Sequence, residues 1–80
     1  MKIEYISDDY FFDEAVVRVI RIDGKYYWQS YSCTAFGDVW NPSVDKIDKD
    51  IYFDTEEQAV KDAEGFYANE KLWLIKEFLR

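Results

Sequence analysis

The chain reads as one α+β domain, a small antiparallel sheet of three to four strands packed against helix at its C-terminal end, and three observations predict it. The run Ala15 to Ile22 (AVVRVIRI) is β-branched at most positions, which favours a strand with much of both faces covered. Asp23-Gly24 follows directly and precedes the aromatic run Lys25-Tyr26-Tyr27-Trp28-Gln29-Ser30-Tyr31, the pattern of a two-residue type I′ hairpin, whose central positions both need positive φ. Thr55 and Gln58 stand at capping-box spacing ahead of apolar residues that recur with the 3.6-residue period of a helix.

Taken in order, residues 2–6 alternate weakly and predict a short first strand, and residues 7–14 predict a connector in which Phe11 or Phe12 plugs the core. After the hairpin, Tyr27, Gln29, Tyr31 and Cys33 share one face of their strand, and Tyr26, Trp28, Ser30 and Ser32 share the other. Neither face is marked as the wet one. From Thr34 to Lys49 the periodicity fails, and Phe36, Val39 and Trp40 stand apart among Gly37, Asn41 and Pro42, which predicts a long loop pinned by aromatic rings. Ile51-Tyr52-Phe53 predicts a brief strand. A helix over 55–68 follows, with Ala59, Val60, Ala63, Phe66 and Tyr67 toward the sheet, Glu57, Lys61 and Glu64 toward water, and Glu56 and Glu57 in the favourable first turn. Gly65 and Asn69 weaken its continuation. Residues 70–79, rich in Glu, Lys and Leu, read as a second helix, with a last strand on Leu72, Leu74 and Phe78 as the alternative.

With 80 residues and no repeat or linker, the chain is expected to form a single domain, 1–80, close to the size at which one hydrophobic core is only just sufficient. Three Trp, seven Tyr and six Phe must supply that core, yet a domain this small cannot bury them all, so some rings are left as interface anchors. A single cysteine, Cys33, forms no internal disulfide, which suits a reducing compartment. The alternating charges at the N-terminus resemble neither a signal peptide nor a membrane span.

Catalytic chemistry has little to stand on, because no histidine is present to act as base for Ser7, Ser30, Ser32 or Ser43. Cys33, beside bulky rings, reads as a small buried hydrophobe. Asp48, Asp50, Asp54 and Glu56 have a superficial calcium-loop spacing, but an EF-hand needs Gly and Glu where this chain has Phe53 and Ala59. Carboxylate pairs of glycosidase type arise by accident among seventeen acids, and so small a domain offers little room for a sugar cleft. The expectation is a non-enzymatic protein with no metal and no cofactor.

Charge is the informative feature. The formal net charge is -7, and it comes from residues 1–14, with five carboxylates against Lys2, and residues 45–64, with eight against Lys46, Lys49 and Lys61. Asp45, Asp48, Asp50, Asp54, Glu56 and Glu57 read one by one as solvated loop and helix-start residues; read together, at strand and helix rises of ~6 Å, they form a line of negative charge that imitates a phosphate backbone. Asp8, Asp9, Tyr10, Asp13 and Glu14 make a second acid and aromatic patch suited to guanidinium groups, and Trp40 can serve likewise or lie under the helix. Direct nucleic-acid binding is disfavoured by the net charge and by the scatter of Arg18, Arg21 and Lys25.

The 80-residue length, the acidic blocks at 8–14 and 45–64, the lack of a catalytic motif and a hairpin-then-helix layout that includes DTEEQAVKDAE together resemble small phage-encoded inhibitors of the anti-CRISPR type. That resemblance implies a protein partner with a basic, nucleic-acid-binding surface, occlusion of its DNA or RNA site by charge mimicry, and action as monomer or homodimer in the cytoplasm of a bacterial host. These inhibitors share no motif, so no site residue is carried over. Two alternatives remain: an immunity-type inhibitor of a nuclease toxin, and a structural or adaptor domain that self-associates through exposed aromatics.

Overall fold

The fold is described from a computed structural model, which covers residues 2–13 and 15–78. Five strands, a 3-10 turn and one helix follow in the order β1 (Tyr5–Ile6), β2 (Tyr10–Phe12), β3 (Ala15–Ile22), β4 (Lys25–Thr34), β5 (Gly37–Asn41), Val44–Lys46 and α1 (Glu56–Phe78). All pairings are antiparallel. β3 and β4 form the centre, β5 lies on the outer edge of β4, and β1 and β2 both lie on β3, opposite Ile20–Arg21 and Ala15–Val17 respectively. Between them Ser7 keeps the ladder closed: its main-chain N–H donates to the Val19 carbonyl and its Oγ accepts from the Val19 N–H, each at 2.8 Å.

The hairpin forms as its dipeptide requires, with φ of 52° at Asp23 and 76° at Gly24, and the Gly24 N–H is capped by Glu4 Oε1 at 2.9 Å. Both faces of β3 are covered. Val17 and Val19 are buried on the side of α1, whose Ala59 and Ala63 are buried too and let the helix approach closely. Ile20 and Ile22 are buried on the other side, where Tyr27 and Ile47 complete a cluster flanked by Ile3 and Val44. Each such aliphatic side chain contributes about 1.5–3 kcal/mol, so the segment 42–53 that wraps the second face is structural rather than ornamental. Buried Gln29 ties it down, accepting from Arg18 Nε and donating to the Pro42 carbonyl, both at 2.8 Å.

Residues 37–41 correct the expectation of a loop from Thr34 onward. Thr34 Oγ1 accepts from the Phe36 N–H and donates to the Gly37 carbonyl, Gly37 turns the chain at φ 121°, and Tyr31 stacks edge-on against Trp40 across the new strand pair. A five-residue strand with one polar turn is too short for its alternation to show. The brief strand expected at 51–53 shrinks to one bridge, Phe53 with Tyr26. Residues 10–12, expected as a connector, pair with β3; Phe12 lies 6.0 Å from Tyr67, while Phe11 is 77% exposed. Cys33 is exposed, not buried, because it lies where β4 runs past the covered part of the sheet.

The expected helix start is met. Thr55 Oγ1 accepts from the Gln58 N–H at 3.2 Å, and Gln58 Oε1 reaches back to the Asp54 N–H at 3.1 Å. Residues 70–78 are helical, as expected in preference to a strand, but not as a separate second helix among the described residues: α1 runs unbroken through Gly65 to Phe78, and Leu79 lies outside the described residues. One interior glycine costs only about 1 kcal/mol, too little to stop a helix otherwise rich in Glu, Lys and Leu.

Candidate functional site

Three carboxylates, Glu56, Asp62 and Asp38, are held by aromatic donors. Tyr5 and Tyr10 both donate to Glu56, one to each oxygen; Trp28 Nε1 donates to Asp62 Oδ2 at 2.9 Å; and the Tyr31 hydroxyl is bonded to Asp38. These bonds raise the phenols. Tyr10 is pushed up from 10.0 to about 12 by its bond to Glu56, with desolvation second, and Tyr31 to about 12 by Asp38. Tyr5 is raised by Glu56 in the same way.

Four cations, in turn, lie on rings. Arg18 Cζ is 4.4 Å from the Trp40 centroid, Lys25 Nζ 4.4 Å from Tyr52, Lys49 Nζ 5.6 Å from Tyr27, and Arg21 Cζ 6.0 Å from Tyr26. Burial lowers the Arg18 pKa, and Asp9 opposes that shift. Two ion pairs, Arg21–Glu4 and Lys61–Glu57, are both 3.8 Å apart and solvent-exposed. Exposed pairs of this kind contribute little to stability.

Several sequence-predicted residues meet. Asp8 acts electrostatically on both Tyr5 and Tyr10, which places part of the first acid patch at the start of α1 with Glu56. Asp48 and Asp50 act on Tyr27, on the opposite side of the sheet from the helix. Asp54 and Glu57 are exposed at the helix start, Asp45 is exposed in the 3-10 turn, and Asp13 is exposed after β2. Glu14 lies outside the described residues. The even line of charge does not form as pictured, since Asp48–Asp50 is a turn closed by Asp48 Oδ1 on the Asp50 N–H at 3.0 Å, not a strand. Tyr10 is half-buried and committed to Glu56, and Trp40 is half-buried under Arg18 and against Tyr31 instead of under α1.

A cleft of about 220 Å³ opens at the edge of β4. β5 covers that edge from Ser30 to Thr34, and Phe53 covers Tyr26 through two main-chain bonds of 2.9 Å, so Trp28 falls between the two covers. Buried Tyr27 and Ile47 form the floor, Trp28, Phe53, Ile51 and Pro42 the walls, and exposed Asp48 and Asp62 the lips. Asp62, Trp28 and Tyr5 are absent from the sequence-derived candidates. Asp62 had a signal: it precedes Ala63 and follows Ala59 by three residues, so it flanks the buried helix stripe.

Among the described residues no three His, Cys, Asp or Glu side chains group to hold a metal ion, and no helix is long and apolar enough to cross a membrane. No family model, curated protein or solved structure matches the chain, so its surface chemistry is what bears on function.

Proposed function

We propose that the chain is a non-enzymatic binding protein that docks on the basic, nucleic-acid-binding surface of a bacterial nucleic-acid-processing complex and occludes it stoichiometrically, as an anti-CRISPR protein does. One observation supports this above others: Glu56 and Asp62 are oriented by neutral O–H and N–H donors while Arg18 and Lys25 lie on ring faces, so these acids are pre-ordered without being paired to those cations. An Arg- and Lys-rich surface is steered toward such a field and pairs with groups whose rotamers are already restricted. The sign and exposure of the charge carry the reading, not a phosphate-like spacing.

The test is a pull-down from bacterial lysate at low and then moderate salt, followed by titration of the recovered complex. Inhibition saturating at one chain per complex is expected, and Asp48→Lys, Asp50→Lys and Asp54→Lys together should weaken binding by about tenfold or more at low salt. Intact binding by the triple variant, or turnover at catalytic amounts, would sink the proposal. Phe36, fully exposed at the turn between β4 and β5, and Phe11 favour a second reading, an adaptor that self-associates through aromatics. That association would persist in high salt, where the acidic interface dissociates.

A further inference from the structure

We infer that the cleft between Asp48 and Asp62 seats one arginine side chain of the basic partner; this rests on the binding function proposed above and names its anchor. A volume of about 220 Å³ is the liquid volume of roughly seven waters, enough for a long side chain, whereas drug-sized ligands take about 300–1,000 Å³. Ile47 and Ile51 offer apolar surface to an aliphatic stem, and Trp28 and Phe53 offer ring surface to a planar cation.

The lips decide between the two basic side chains. Asp48 comes from the segment over one face of the sheet and Asp62 from the helix on the other. Each spends one oxygen internally, Asp48 Oδ1 on the Asp50 N–H and Asp62 Oδ2 on the Trp28 indole, and its second oxygen takes no hydrogen bond from residues 2–13 or 15–68. A guanidinium presents five N–H groups in a rigid plane, so it can reach carboxylates on both sides while lying against a ring; an ammonium is a compact, strongly hydrated point charge that cannot do both. The fold already uses this pairing, with Arg18 over Trp40.

The test titrates the intact 80-residue chain with N-acetylarginine amide and N-acetyllysine amide, following the Trp28 indole N–H by NMR, and with octa-arginine and octa-lysine peptides. Asp48→Asn with Asp62→Asn removes the lip charges while leaving an acceptor for the indole, and Asp8→Asn with Asp9→Asn removes the same charge elsewhere. Thermal melts verify that both pairs fold. The arginine amide is expected to shift the indole signal, and octa-arginine to bind about tenfold tighter than octa-lysine, the worth of one desolvated cation–ring or bidentate contact. The lip pair should lose that preference, while the remote pair weakens both peptides alike and keeps it. Equal binding of the two peptides, or equal behaviour of the two variant pairs, overturns the arginine seat and leaves the acidic-surface reading intact. Failure of both peptides to bind overturns the arginine seat and the acidic-surface reading together.

Discussion

Two phenols on one carboxylate make Glu56 the residue on which the helix start and the N-terminal strands depend. The folded protein holds the Tyr10 proton more tightly than the unfolded chain, with a pKa of about 12 against the ordinary 10.0. The contribution of this contact is therefore complete below pH 10 and is lost as pH rises through about 12. Thermal melts should show stability falling across that window, and Glu56→Gln should make the fall shallower, because a neutral amide does not oppose tyrosinate; an unchanged slope would show that the bond does not carry the effect. The acids themselves were legible from composition, but what holds them was not. Tyr5 and Glu56 are 51 positions apart and Trp28 and Asp62 are 34 apart, and no local pattern links residues at such separations.

At the scale of elements, two glycines predict opposite signs. Gly24 sits at φ 76°, where a Cβ crowds the following carbonyl, so Gly24→Ala should cost about 1–2 kcal/mol. Gly65 lies inside α1 with no atom within 4 Å of an added Cβ, so Gly65→Ala should stabilise by about 0.5–1 kcal/mol. Urea denaturation of the two variants checks both, and a loss at Gly65 would mean that its neighbourhood is tighter than described. The hairpin and the helix cap were readable because positive φ and capping are satisfied within a few residues. β5 was not, since its register depends on Tyr31 meeting Trp40 and on a turn built by Thr34, and the breadth of the helix was missed because Gly65 and Asn69 were given more weight than the propensities around them.

For the whole molecule, a net charge of -7, which exposed pairs such as Arg21–Glu4 and Lys61–Glu57 offset only weakly, means that the fold stores repulsion. Raising NaCl from about 0.01 to 0.1 M shortens the screening length from ~30 to ~10 Å, so the melting temperature should rise while binding to a basic partner weakens. A melting temperature that falls with salt would show net attraction among the charges and remove the basis for the proposed surface. Local chemistry was enough to specify an α+β chain with a tight hairpin, a strand apolar on both sides and a capped helix, because backbone dihedrals, side-chain alternation and caps act over a few residues. Tertiary structure alone decided that residues 42–53 cover the second face of the sheet, that Arg18, Lys25 and Lys49 lie on rings while phenols and an indole hold Glu56 and Asp62, and that Asp48 and Asp62 line one cleft at the edge of β4. Those outcomes depend on how two covered faces close around one strand edge, a condition set by packing and written in no short segment.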